Sequence, residues 1–216
     1  MEFVSELTNK LISSVTVFYE NWDQEIDYLI PNIQDRIIAQ RSVLMEELEE
    51  AMSAYRRAYG ELPSDILRVE VLKELADVLF SAAYLTLLLL VAAEEDLAFD
   101  ILRDKCKPLS SISKSTHFQS LNALMFNYEL SLTQLATTLD NSQLVFVASK
   151  LISETLFVIT NIPADFKYSI RGGQAWSDQY ETVCVMWGKL HENELKNHET
   201  HYVDEKGKVR RRLRWA

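Results

Sequence analysis

The run LFSAAYLTLLLLVAA, from Leu79 to Ala93, carries no charge, no glycine and no proline. Few environments accept such a segment. A membrane span needs roughly 20 apolar residues. This run is shorter, with Asp77 just before it and Glu94, Glu95 and Asp96 just after it. Apolar on nearly every side from Leu75 onward, it reads as the central helix of a bundle, covered by other helices rather than by lipid. Five glycines and four prolines in 216 residues favour long helices over a turn-rich β fold. The expected fold class is all-α, with one good-sized core.

Helical periodicity extends along the rest of the chain, and no alternating strand stands out. A first helix is expected over about Phe3 to Glu20, with Phe3, Leu7, Leu11, Val15 and Phe18 on one stripe. Pro31 marks the start of a second, Ile33 to about Ala58, which Gly60 ends. Gly60 and Pro63 supply turn chemistry, and Ser64 an N-cap for the helix that runs into the apolar stretch. Beyond a polar break from Pro108 to Ser115, two more helices are expected, at about His117 to Leu139 and Ser142 to Ile162. Pro163 and Gly172-Gly173 bound an irregular linker. A last helix, about Ser177 to Asn197, leads to the basic tail HYVDEKGKVRRRLRWA. Residues 1–170 are thus read as the bundle, and 171–216 as a helix and tail closing on the same domain.

The central helix also carries Glu74 and Asp77, in LKELADVLF, and the helix before it carries Glu47 and Glu50, in LMEELEEAM. Each pair has i, i+3 spacing and projects from one helix face. Two helices joined by so short a turn fold back antiparallel and can aim all four carboxylates at one point. A solvated acidic face is the ordinary meaning of an EELEE string. Two facts argue against it here. Crowded like charges cost a few tenths of a kcal/mol per pair, and no Lys or Arg stands at i+4 from Glu46 or Glu50 to offset them. Glu74 and Asp77 lie among Val71, Leu72, Leu75, Val78, Leu79 and Phe80, where a carboxylate is costly unless a cation compensates. Hard oxygen donors of this kind select Mg²⁺, with Mn²⁺ an acceptable substitute.

EELEE, followed about two dozen residues later by ELAD, resembles the EExxE…ExxD signature of the MazG-like, all-α NTP pyrophosphohydrolase superfamily. The lead-in RSVLMEELEEA resembles that family's arginine-led approach to its first motif, and the match runs from Arg41 to Phe80. The resemblance implies a helical bundle, homodimeric or larger, in which Mg²⁺ held by Glu47, Glu50, Glu74 and Asp77 binds a nucleoside triphosphate. Water then cleaves between the α and β phosphates, giving a nucleoside monophosphate and pyrophosphate. It also implies catalytic roles for Glu46 and Glu47, with Glu46, or a ligand glutamate, orienting the attacking water.

The C-terminal end carries a second resemblance. NELK, with Asn193 and Lys196, followed by VDEKGKVRRR, is similar to the NMSK…DxxGKVxR ending of a branch related to phosphoribosyl-ATP pyrophosphohydrolase, where the Asn and Lys face substrate. Here Glu-Leu replaces Met-Ser, and a long helical insertion separates this end from ELAD. Lys206, Lys208 and Arg210 join Asn193 and Lys196 as candidate phosphate-binding residues. A frayed, solubilising terminus is the other reading of this tail. The segments LMFNYEL, from Leu124, and SKLISETLF, to Phe157, faintly repeat the two acidic helices, with Asn127, Leu130, Leu151 and Glu154 replacing the four carboxylates. A degenerate second hairpin and chance similarity both explain that.

Other chemistries find little support. A net charge of −10 repels a phosphodiester backbone, so no nucleic-acid partner is expected, and no membrane either. Cys106 and Cys184 lack CxxC spacing, and MEFVSELTNKL lacks the regions of a signal peptide, so a cytoplasmic protein with reduced thiols is expected. No Ser-His-Asp or Cys-His arrangement is supported, and His117, His191, His198 and His201 show no metal-ligand spacing. Trp22, Tyr55 and Trp176 are candidates for stacking on a nucleobase and equally for packing. The competing functions are a phosphoribosyl-ATP or dUTP pyrophosphohydrolase relative, and a non-enzymatic helical module whose acidic face binds a basic partner.

Overall fold

A computed structural model of the protein describes residues 2–58, 65–93, 97–106, 117–138, 140–161 and 178–212. Among them the long helices follow the hydrophobic periodicity: α1 (Glu2–Leu29), α2 (Ile33–Ala58), α3 (Asp65–Ala92), α4 (Ala98–Lys105), α5 (His117–Thr137), α6 (Asn141–Asn161) and α7 (Asp178–Glu194). Two short strands, β1 (His201–Val203) and β2 (Val209–Arg211), form an antiparallel hairpin in the basic tail. The fold is an all-α bundle with this one small appendage. The turn assigned to Gly60 and Pro63, the Ser64 cap, the break at Pro108 to Ser115, the linker at Pro163 and Gly172-Gly173, and Trp176 lie outside the described residues.

Helix α3 takes the central place its composition demands. Between Val71 and Leu90 every residue but Lys73, Glu74 and Asp77 is buried. The segment Val69–Ala92 is long and apolar enough to cross a membrane, but 83% of its most apolar 18-residue stretch is buried inside the fold. It packs against α2, α6, α7, α1 and α4. Its heaviest contact is with α2, and three links fix their relative direction. Gln40 Nε2 donates to the Ser81 carbonyl at 3.3 Å, Glu47 and Glu50 meet Glu74, and Arg57 pairs with Glu70 at 3.7 Å. Positions rising along α2 meet positions falling along α3, so the helices are antiparallel.

Asn32, directly after Pro31, caps α2: its Oδ1 accepts the N–H of Gln34 at 2.8 Å and of Asp35 at 3.4 Å. Helix α1 runs nine residues beyond Glu20 because its stripe continues through Trp22 and Ile26, both buried. Trp22 is fully buried, with Phe18 at 6.5 Å and His198 at 4.2 Å between ring centroids. It is a packing residue rather than a base-stacking platform. Removing so large an anchor should cost about 3–5 kcal/mol; Trp22→Ala is expected to lower the urea midpoint accordingly with little change in slope.

Helices α5 and α6 pack on each other, with α6 along α3 and α5 against α2, so the second hairpin exists in space. Leu151, opposite Glu74 in the sequence comparison, is fully buried there, and Leu130 is 43% exposed. Cys106 is buried and its thiol is pushed up to about 12 by burial, Cys184 is exposed, and both are free.

Helix α7 closes over α1 and α3. A polar clasp holds it: Lys10 on α1 bonds Glu194, and the Ser14 hydroxyl donates to Glu194 Oε1 at 3.0 Å and to the Leu190 carbonyl at 3.2 Å. His191 belongs to this clasp, 3.0 Å from Glu194 Oε2. The tail is not a frayed end through Arg212. Val203 and Val209 are buried, and β1 packs on α1. The strands escaped sequence reading because three residues each give too little alternation to register.

Candidate metal centre

Helical spacing brings the acidic motifs together as their i, i+3 pattern requires. One carboxylate oxygen from each of Glu47, Glu50 and Glu74 lies within 4.8 Å of the other two. Glu47 is buried at 7% exposure, Glu74 is half-buried, and Glu50 is exposed. The cluster thus opens from the α2–α3 seam to solvent. Mg²⁺ bonds of about 2.1 Å place octahedral ligand oxygens about 3.0–4.2 Å apart, so side-chain shifts of up to about 0.7 Å each close these three on an ion. The donor set is all-oxygen and anionic, which fits Mg²⁺ or Mn²⁺.

Like-charge crowding marks the same spot electrostatically. Burial, then the charges of Asp77, Glu50 and Glu47, push the Glu74 carboxyl up to about 7, against the pull of Lys189. Burial also raises Glu47, which the bond from Lys208 opposes and the charges of Asp77 and Glu50 reinforce. Carboxyls raised above their ordinary range by burial and like charge are groups that a cation binding the ionised form would compensate.

Asp77 stands outside the three-oxygen cluster and is held from α7. Its Oδ2 lies 3.0 Å from Lys189 Nζ, and its Oδ1 accepts from Asn193 Nδ2 at 3.4 Å. Asn193 is 2% exposed and its Oδ1 has no partner among the described residues. The waters that Mg²⁺ retains are donors of the kind this buried acceptor lacks.

The tail brings further cations to the same place. Lys208 Nζ lies 2.8 Å from Glu47 Oε1 and 3.3 Å from Glu46 Oε1. Arg210 reaches Glu46 at 3.6 Å and is tied to Asp204 at 2.9 Å. Asp204 orders the turn by accepting the Lys206 and Lys208 N–H groups, each at 2.9 Å, while Gly207 adopts a φ of +75°. That conformation suits glycine and swings Lys208 onto α2. Lys196, half-buried, has its ammonium pKa lowered by burial and by Lys189 and Lys208, though Asp77 and Glu47 pull it up. With Asn193, Glu47 and Asp77 it lines a chamber of about 50 Å³ whose other walls include Phe18 and Tyr84. Lys206 is exposed and lines a different space, a groove of about 430 Å³ beside Glu46, with Asp35, Ile38, Ser42 and Glu205.

The structure therefore gathers Glu46, Glu47, Glu50, Glu74, Asp77, Asn193, Lys196, Lys208 and Arg210 around one locus, and sets Lys206 at its margin. Lys189 was missed by the sequence reading. It sits four residues before Asn193 on one face of α7, and that spacing was the available signal. No family model matches this chain, and neither does any curated protein or solved structure.

Proposed function

We propose that this chain is a Mg²⁺-dependent nucleoside triphosphate pyrophosphohydrolase, cleaving an NTP or dNTP between its α and β phosphates to a monophosphate and pyrophosphate. The observation that carries the reading is the convergence of Glu47, Glu50 and Glu74 from two antiparallel helices, beside a bank of lysines in an otherwise acidic protein. A bound divalent ion supplies charge neutralisation of phosphoryl oxygens and acidifies water.

The chain's own residues do the rest. Glu47, Glu50 and Glu74 hold the ion, while Asp77 is kept in place by Lys189 and Asn193. Lys189, Lys196 and Lys208 take up negative charge on the polyphosphate, which the net charge of −10 would otherwise repel. Glu46, on the α2 face shared with the groove, positions the attacking water. The groove is of a size to take a nucleoside. Its stripe of Asp35, Ile38, Ala39, Ser42 and Glu46 leads along α2 to Glu50, roughly 12 Å from Ser42 at 1.5 Å per residue.

Pyrophosphate release measured with and without Mg²⁺ across ribo- and deoxyribonucleoside triphosphates, deaminated bases included, tests the proposal. Turnover of at least one member, lost on chelation, is expected. A protein inert on every member has another function.

A further inference from the structure

The four carboxylates of the two acidic pairs are not equally available to metal. Both oxygens of Asp77 are engaged from α7, by Lys189 Nζ at 3.0 Å and by Asn193 Nδ2 at 3.4 Å. Glu47 Oε1 is engaged by Lys208 Nζ at 2.8 Å, and the same ammonium reaches Glu46 at 3.3 Å. What converges is one oxygen each from Glu47, Glu50 and Glu74. That is the protein's share of the ligands for a single ion, which completes its shell with water or phosphate oxygens.

We propose that the centre takes one divalent cation per chain, and that the ammonium groups of Lys189 and Lys208 supply the fixed positive charge that a second ion would bring. The proposal rests on reading Glu47, Glu50 and Glu74 as metal ligands. It departs from a site in which all four carboxylates share two ions.

These lysines are not surface pairs of negligible effect. Lys208 and Glu47 side chains are 17% and 9% exposed, and Lys189 and Asp77 are 26% and 17% exposed. Pairs this sheltered are little screened by salt, and stripping one partner leaves an uncompensated charge in a poorly hydrated place. Each lysine is also held by its backbone. Lys189 lies on α7 one turn before Asn193, so a single helix face delivers both groups to Asp77. Lys208 is presented by the hairpin turn, its N–H donated to Asp204 Oδ1 at 2.9 Å, directly after the left-handed Gly207. An ammonium so placed holds its charge at a fixed point without depending on ambient metal. A second ion would have to displace it from the same oxygens.

The experiment counts metal on the full-length protein. Free Mn²⁺ is followed by electron paramagnetic resonance as it is titrated into wild type and into Lys189→Met/Lys208→Met, with circular dichroism reporting helicity. Wild type is expected to saturate at one Mn²⁺ per chain and the double variant at two, because Asp77 Oδ2 and Glu47 Oε1 lose their ammonium partners. Two ions on wild type would overturn the proposal and leave the metal reading standing. No binding at all would overturn both. A folded double variant that still takes one ion would overturn the assignment of the lysines as stand-ins. Should the double variant lose its helicity, Lys208→Met alone decides: it frees Glu47 and leaves Glu46 to Arg210, a second Mn²⁺ is expected, and saturation at one counts against the proposal.

Discussion

Glu74→Gln is expected to abolish hydrolysis while leaving the metal-free protein at least as stable as its parent. The two effects separate because Glu74 is costly to the fold and necessary to the site. Burial and the neighbouring Asp77, Glu50 and Glu47 hold its carboxyl near 7, so at neutral pH its charge is tolerated rather than favoured. Glutamine keeps the shape and removes that charge, for a gain of up to about 1 kcal/mol in the metal-free state. On the proposed function, a neutral amide cannot replace the anionic oxygen that Glu74 would offer the ion. The loss in kcat/KM should reach about 10³-fold or more, the scale on which removing one fixed stabiliser of transition-state charge acts. Glu47→Ala should be as inactive but less stable, by about 1–3 kcal/mol, because it strips Lys208 of its shortest partner and leaves Glu46 alone to compensate. Initial rates and urea midpoints on the three proteins test the contrast. A Glu74→Gln protein that turns over normally, or unfolds far more easily than wild type, contradicts it.

The parts of this fold legible in the sequence are those where one local signal dominated. The apolar run after Asp77 left α3 no position but the centre, and Pro31 with Asn32 set the start of α2 at the residue expected. The acidic pairs could be placed on facing helices because i, i+3 spacing is a rigid statement once both helices are accepted. Less was legible wherever tertiary contact does the deciding. The segment NWDQEIDYL lies beyond the first helix expected from sequence, which ends at about Glu20, yet Trp22 and Ile26 continue its buried stripe, and Asp23 and Asp27 are bound by Arg36 of α2. Helix α4 is eight residues with two buried side chains, too short for periodicity to declare. Asp77 was expected to equal Glu74 in its role. Its engagement by Lys189 and Asn193 depends on where α7 docks, some 110 residues later in the chain, and no local pattern carries that. The hairpin's placement of Lys208 is of the same kind: a glycine turn is readable, its target is not.

Mg²⁺ should stabilise the protein strongly at pH 8 and hardly at pH 5, and the reason lies in the sign of the Glu74 shift. A carboxyl whose folded pKa is raised, from 4.5 to about 7, makes the native state bind more protons than the unfolded chain within that window. Stability from this group is therefore complete below about pH 4.5 and is lost as pH rises through about 7. Glu47, raised by burial, acts with the same sign. Asp204 and Glu194 are lowered: burial pushes each up, but their hydrogen bonds outweigh it, so their contributions fail only at more acid pH, outside this window. The metal-free protein should lose about 2 kcal/mol between pH 5 and pH 8, allowing for screening of a half-buried carboxyl. The ion reverses that loss because it binds the ionised form. At a hundred times its Kd it adds about 2.7 kcal/mol, a rise in Tm of roughly 5–10 °C for a chain of this length. At pH 5 the ion competes with a proton that Glu74, its carboxyl raised to about 7, holds most of the time, so the same Mg²⁺ concentration should add less than about 1 kcal/mol. Melting curves with and without Mg²⁺ at the two pH values measure both halves. Equal Mg²⁺ shifts at pH 5 and pH 8 would detach the ion from Glu74, and no shift at pH 8 would leave the acidic face to a basic partner. Glu74→Gln carries the control within itself, since it should reduce the metal-free pH dependence, leaving the part due to Glu47, and remove most of the Mg²⁺ effect.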